Sequence, residues 1–281
     1  MNGQTDVPAL RWGFVGTGGI ANAMANVVAT TPMAALRAVS SRRRTSADEF
    51  ADRYDVALRF HDWQAMLESG DIDAIYVATP TSVREEISIA AANAGKHVLA
   101  EKPFASSASV KRIIEACRRN DVAFMDGTHF VHHPRHHAIK DGMAELVGSP
   151  WSVASAFQFG LPNRGDIRYN AELEPMGAIG DAGWYNMRAA LEYLPGDAAP
   201  ASVEAVLRRD GETGAAVSGS GVIQFTGGST TTWNCGFDSG ALVMDLCITG
   251  FEGVINIDNF LSQDEDGSAR YFYKRGSWGP D

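Results

Sequence analysis

The chain has 281 residues, enough for two domains of ordinary size, and 45% of them are hydrophobic. Its 24 Lys plus Arg against 34 Asp plus Glu give a formal charge of -10, and no basic run interleaved with aromatics occurs, which argues against nucleic acid as a partner. No stretch approaches eighteen uninterrupted apolar residues, the start lacks a basic and apolar leader pattern, and the three cysteines, Cys117, Cys235 and Cys247, have no ligand or disulfide spacing; a cytoplasmic protein with reduced thiols and no membrane partner is expected.

In chain order, the first element is a short apolar strand at 12–15 that runs into Gly16-Thr17-Gly18-Gly19-Ile20-Ala21 and then into a small-residue helix. Glycines at that turn let backbone amides approach a pyrophosphate, and Ala21 stands where a small residue lets the helix pack close to the strand. The pattern is a weak signal in isolation and gains weight from its strand, turn and helix context.

Further strands are expected at 36–39, 57–60, 74–78, 97–99 and 122–125, with helices filling the gaps. Ser46-Ala-Asp-Glu49 has the form of a capping box, and Asp62 and Ser107 are candidate caps. This alternation predicts a doubly wound parallel sheet over residues 1–126. From 127 to 281 the pattern becomes β-rich, with strands expected at 151–160, 201–208, 215–226, 229–237 and 242–257. Turns at Asp210-Gly211 and Gly227-Gly228 imply hairpins, and one helix is expected at 181–194. The fold class is therefore α/β, a Rossmann sheet followed by an α+β domain with a largely antiparallel open sheet.

Several residues have the chemistry of a site. Asp or Glu at the end of the second strand of a nicotinamide-binding domain would repel a 2′-phosphate; here the chain reads Ser41-Arg42-Arg43, which suits a phosphate monoester and favours NADP over NAD. A solvated arginine cluster is the alternative. Thr79-Pro80-Thr81 and Glu101-Lys102-Pro103 end two strands at the carboxyl edge, where open α/β sheets bind ligands. Lys102 has the reach to a substrate oxygen, though a surface Glu-Lys pair explains the same residues.

The glycine motif, the Thr79-Pro80 turn, Glu101-Lys102-Pro103 and Gly180-Asp181-Ala-Gly-Trp184-Tyr185 occur in the order and approximate spacing of the glucose-fructose oxidoreductase / inositol dehydrogenase (Gfo/Idh/MocA) family, which the chain resembles over essentially its whole length. Phe124-Met-Asp-Gly-Thr-His129, His133-Pro-Arg135 and Asp166-Ile-Arg168 look like a branch near D-xylose 1-dehydrogenase and dihydrodiol dehydrogenase.

That resemblance implies a dinucleotide held by the first domain, by Gly16, Thr17, Gly18, Gly19, Ile20, Ser41, Arg42, Arg43, Thr79, Pro80, Thr81, Glu101 and Lys102, and a substrate between the domains. Lys102 matches the family lysine, and Tyr185 takes the acid/base position of Asp-x-Gly-x-His/Tyr. A phenol with an ordinary pKa of about 10 serves near neutrality only beside groups that favour its phenolate. Asp181 is expected to share a helical face with Tyr185 and bond a substrate hydroxyl, or to cap the following helix. Arg168 is expected at substrate or cofactor, or as an ordinary surface arginine.

The expected reaction is NADP-dependent hydride transfer at a carbinol or carbonyl of a sugar or polyol, with a D-xylose-type aldose preferred. Oxidation of a trans-1,2-dihydrodiol and a non-catalytic NADP sensor are the alternatives. A homodimer or dimer of dimers is expected through the open sheet.

Two departures from the family pattern stand out. Arg84 replaces a common histidine and reads as a helix-surface residue. The chain also stops at Asp281, short of where relatives continue, so the second domain is expected to be abbreviated or the sequence incomplete, and its last twenty or so residues contain few core builders. The histidines at 129–137 suggest a metal site, but partner ligands are missing nearby, so none is expected; His129 alone is a candidate to approach the substrate.

Overall fold

A computed structural model describes residues 8–263 and 266–276. The chain divides into two compact units, Met1–Gly127 and Thr128–Asp281.

The first unit is a six-stranded sheet in the order β3-β2-β1-β4-β5-β6, formed by β1 (Leu10–Val15), β2 (Ala34–Ser40), β3 (Leu58–Phe60), β4 (Ala74–Val77), β5 (His97–Ala100) and β6 (Phe124–Asp126). Every pairing is parallel. The strand order reverses between β1 and β4, which opens a crevice at their carboxyl ends. All four residues of β4 are buried because helices cover both faces of the sheet. In α1 (Gly19–Ala29), Ala21, Ala25 and Val28 form the stripe that packs with Phe14, Val39, Phe50 and Tyr76.

Two helix starts differ from the sequence reading. α2 (Arg44–Tyr54) begins two residues before Ser46, with Arg43 as an extended N-cap that makes no side-chain cap, so the capping box is not used. Its phase is set by the buried side of the helix, Ala47, Phe50 and Ala51, which outweighs one local cap. α3 (Trp63–Glu68) starts at Asp62 as expected, whose carboxylate accepts from Ala65 N at 2.6 Å. α4 (Thr81–Asn93) begins directly after Pro80. α5 (Ser107–Arg119) is capped by Ser106 rather than Ser107, because Ser106 is the residue in extended conformation able to accept from Ser109 N.

The second unit is a seven-stranded sheet in the order β13-β12-β11-β7-β10-β9-β8. It comprises β7 (Pro150–Gly160), β8 (Pro200–Arg209), β9 (Ala216–Phe225), β10 (Thr230–Gly236), β11 (Asp238–Gly250), β12 (Gly253–Ile257) and β13 (Phe272–Arg275). β7 and β10 pair in parallel; the other neighbours are antiparallel. The long run at 242–257 is two strands, folded back with Leu246 opposite Ile257. β13 lies in the tail that reads as poor in core residues, and Tyr271 just before it packs on the main hydrophobic cluster.

α6 (Pro134–Leu146) starts with His133 as its N-cap and Pro134 as its first residue. The helix expected at 181–194 is two helices, α7 (Gly177–Asp181) and α8 (Gly183–Tyr193), interrupted at Ala182, which serves as N-cap without a side-chain bond. Both pack on one face of the sheet, over β7, β9 and β10. Among the described residues no helix is long and apolar enough to cross a membrane.

Candidate active site

The candidate residues fall into two groups, one in each unit. In the first, β1 delivers Gly16 into the crevice with φ 110°, a conformation that side chains rarely adopt. A Cβ at Gly16 would stand 2.5 Å from the Ala78 carbonyl at the end of β4, so only glycine lets the loop pass there. At Gly18 and Gly19 a Cβ would meet nothing within 4 Å, and no side chain caps α1. The first-turn amides of α1 therefore face open space at the positive end of a helix, the arrangement that takes a pyrophosphate. Thr79 Oγ1, beside this loop, is buried without a hydrogen-bond partner. These residues fit a dinucleotide.

Asn22, which sequence reasoning passed over, fixes the loop from below. Its Nδ2 donates to the carbonyls of Thr17 at 3.1 Å and Gly18 at 2.8 Å, while its Oδ1 accepts from Arg53 at 2.8 Å and from the Tyr54 hydroxyl at 3.0 Å. Ser41, Arg42 and Arg43 follow β2, with both arginines exposed. Glu101 and Lys102 follow β5; the Glu101 carboxylate is buried and accepts from the Tyr76 hydroxyl at 2.6 Å, and the Lys102-Pro103 peptide is cis.

Arg84 corrects the surface reading. It is 4% exposed and donates to the Thr81 hydroxyl at 3.1 Å and to the carbonyls of Thr79 and Pro103. One cation thereby ties the turn after β4 to the loop after β5. A helical pattern gives no sign of this, because the acceptors at Thr79 and Pro103 are backbone oxygens.

In the second unit, Tyr185 is 7% exposed on α8 and packs with Phe130, Phe157 and His129. Its hydroxyl lies 3.4 Å from His129 Nδ1, and His129 Nε2 lies 2.7 Å from the Leu261 carbonyl. The preceding residue, Trp184, donates from Nε1 to the Thr128 hydroxyl at 2.7 Å, which holds the segment carrying His129 against α8.

Asp181 ends α7 and does not cap α8; the break at Ala182 leaves its carboxylate to Arg168, whose Nε donates at 2.7 Å. Arg168 also bonds Asp166 at 3.2 Å, so it is a paired residue and not a free surface arginine. Burial disfavours its cation, but Asp181 and then Asp166 outweigh that and raise its pKa above the ordinary value. Two of the other histidines in this tract have structural partners: His133 caps α6 by accepting from Arg135 N, and His136 meets Tyr193. Among the described residues no group of three His, Cys, Asp or Glu side chains is placed to hold a metal ion.

Residues 10–128 match the model of a family described as an oxidoreductase family with an NAD-binding Rossmann fold, GFO_IDH_MocA. The chain is 32% identical over 241 residues to the dTDP-3,4-didehydro-2,6-dideoxy-alpha-D-glucose 3-reductase of Actinomadura kijaniata, spanning 85% of this chain and 71% of that protein. It is 30% identical over 234 residues to the D-xylose 1-dehydrogenase (NADP(+)) 2 of Haloferax volcanii, spanning 82% and 70%. Among solved structures, a 3-ketoreductase from Actinomadura kijaniata, in complex with NADP and TDP-benzene, superposes with a TM-score of 0.87 at 28% identity, covering 95% of this chain and 82% of that one. Other structures of that enzyme carry a tyrosine-to-phenylalanine substitution, or a lysine changed to alanine or to glutamate.

Proposed function

We propose that this chain, which belongs to the Gfo/Idh/MocA oxidoreductase family, transfers a hydride between NADP and a carbinol or carbonyl carbon of a sugar or polyol. The observation that carries this reading is the cradle at the strand-order reversal, where Gly16 passes under Ala78 and the uncapped start of α1 faces open space. When bound, the nicotinamide supplies the hydride chemistry, and the chain supplies alignment and proton handling.

Roles are assigned unit by unit. Gly16, Thr17, Gly18, Gly19 and Ile20 hold the pyrophosphate, and Ser41, Arg42 and Arg43 take the 2′-phosphate through charge-assisted bonds. Thr79, Pro80 and Thr81 line the crevice with Glu101 and Lys102, and Lys102 polarises the substrate oxygen. In the second unit Tyr185 exchanges the hydroxyl proton, and Arg168 orients Asp181 so that its carboxylate accepts from a second substrate hydroxyl. An aldose of the D-xylose type is the first substrate to test. A nucleotide-linked keto sugar is the second, favoured by the 32% identity to a dTDP-sugar 3-reductase. A homodimer, or a dimer of dimers, through the uncovered face of the second unit's sheet completes the reading.

The test is Tyr185→Phe, assayed for NADPH formation with aldoses, polyols and cyclic trans-diols and for NADPH consumption with nucleotide-linked keto sugars. Loss of a general acid/base group lowers kcat by about 10²- to 10⁴-fold with the fold intact. Turnover that survives the substitution removes Tyr185 from the chemistry. An inactive parent that still binds NADP makes the chain a sensor. Arg42→Ala is expected to weaken NADP binding while leaving NAD binding unchanged.

A further inference from the structure

We propose that His129 is the positioning residue through which Tyr185 exchanges its proton with solvent, an inference that rests on the role given to Tyr185 above. The Leu261 carbonyl can only accept, so the 2.7 Å contact requires a proton on His129 Nε2. The neutral ring then carries its lone pair on Nδ1, the atom 3.4 Å from the Tyr185 hydroxyl. The phenol donates to the imidazole, and the tautomer is set by the chain rather than by solvent.

The acceptor that sets it is itself held in place. Phe260 N donates to the Met244 carbonyl at 2.9 Å, and buried Arg135 donates to the carbonyls of Asn259 at 2.8 Å and Ser262 at 3.3 Å, on both sides of Leu261. On the other side, Trp184 anchors Thr128. The imidazole therefore has a fixed end at Nε2 and an exchanging end at Nδ1. Tyr185 is buried, whereas His129 is exposed and lines a cavity of about 300 Å³ with His132, His133, Arg135, Phe260 and Leu261. The relay runs from a buried hydroxyl to water.

In the reducing direction the proton bookkeeping closes. As hydride adds to the carbonyl carbon and its π pair moves onto oxygen, the Tyr185 proton passes to that oxygen. The Nδ1 proton of a doubly protonated His129 passes to the phenol oxygen, and water reprotonates Nδ1. Oxidation of a carbinol runs the same transfers backwards. In both directions Nε2 keeps its proton on Leu261. Among the described residues the titratable and charged groups around His129 are Tyr185 from α8, His132 in the same turn and, at the start of α6, His133 and Arg135; burial, then Arg135 and then His129 disfavour a charge on His133.

Two measurements test this. In the whole protein, with and without NADP, nitrogen NMR of the His129 ring is expected to show Nε2 protonated and Nδ1 bare when the ring is neutral, with Nδ1 shifting in Tyr185→Phe. The opposite tautomer, or no response to Tyr185→Phe, overturns the proposal without reference to turnover.

The second is His129→Gln, which retains an amide donor for Leu261 and removes the titrating nitrogen. Expected are a kcat lower by about 10- to 100-fold at unchanged KM, rescue by added imidazole, and a pH profile changed from that of the parent. Rescue should fail in the His129→Gln/Tyr185→Phe double variant. A His129→Gln enzyme with parental kcat and pH profile overturns the relay while leaving Tyr185 in place; parental activity in Tyr185→Phe overturns the underlying assignment instead.

Discussion

A buried cation whose acceptors are mostly backbone oxygens contributes to stability and to a binding site at once, and Arg84 is such a residue. Its guanidinium holds Thr79, Thr81 and Pro103, the residues around which the proposed crevice is built. Arg84→Met removes charged hydrogen bonds that are each worth about 1.5–3 kcal/mol and leaves buried carbonyls unsatisfied. Offset by the cost of burying the cation, which the variant no longer bears, this leaves an expected net destabilisation of about 2–4 kcal/mol in a denaturant melt and weaker NADP binding by titration calorimetry, with both values at parental levels if the arginine only fills space. His136 presents the opposite case. Burial pushes its imidazole down to about 4, more than the Glu192 carboxylate 3.4 Å away raises it, so the ring is neutral and accepts from Tyr193, whose own pKa burial drives up. The folded chain then refuses a proton that the unfolded chain takes below the ordinary histidine pKa of about 6.5. Stability is therefore complete above that value and lost as pH falls towards 4, by about 2 kcal/mol between pH 7 and pH 5. Melts against pH should show this slope in the parent and a flatter one in His136→Gln; equal slopes would mean His136 is charged in the fold.

Between elements, the decisive contacts cross sequence distances that a pattern does not span. Asn22 on α1 reaches back to the glycine loop and sideways to Arg53 and Tyr54 at the end of α2, so one amide couples that loop, the proposed phosphate cradle, to a second helix. Two neutral hydrogen bonds of about 1 kcal/mol each, partly replaced by water, predict NADP affinity roughly 5- to 10-fold weaker in Asn22→Ala at near-parental stability. Unchanged affinity by calorimetry would mean the loop holds its shape without the amide. The same distances decide what was legible beforehand. β4 stands out because a run of four apolar residues at 74–77 can only be covered on both faces, and the cap at Asp62 because its acceptor and donor are three residues apart. Gly16 is readable because the strained turn demands it. Arg84 and Asn22 stay hidden because they bond to carbonyls, which every residue owns. The break at Ala182 carries no proline or glycine at the breaking position, and so nothing local signalled that Asp181, expected on one helical face with Tyr185 or as a cap, would end a separate helix and pair with Arg168. His129 was visible as one histidine among several, and only the fold brings it to a tyrosine 56 residues away.

At the scale of the whole molecule, the second unit presents a sheet covered by helices on one side. Residues 219 and 221 of β9 face Ile179 of α7 and the Trp233 ring, which sends 220, 222 and 224 to the other side. There Val222 is 41% exposed and Val206 on the edge strand β8 is 78% exposed. All ten residues of β8 are exposed, and a long, flat edge with apolar residues invites pairing or coverage. Ser220, Thr232 and Ala154 on the same face are small, while Glu204 opposite Val222, Arg208 and Gln224 carry long side chains there, so a second sheet packs on Val206 and Val222 with those polar side chains around them. A symmetric dimer uses the same patch twice, and the twist of one sheet matches the twist of its copy. The expected species in sedimentation equilibrium at micromolar concentration is twice 30.1 kDa or a multiple of it. The Val206→Arg/Val222→Arg double variant places two cations on each copy of the patch and four across the symmetric contact. It should sediment as a monomer while its circular dichroism stays parental, because both side chains lie on the face away from α7 and α8. A parent that sediments at 30.1 kDa rejects the dimer outright, and a double variant that stays dimeric moves the contact to another surface.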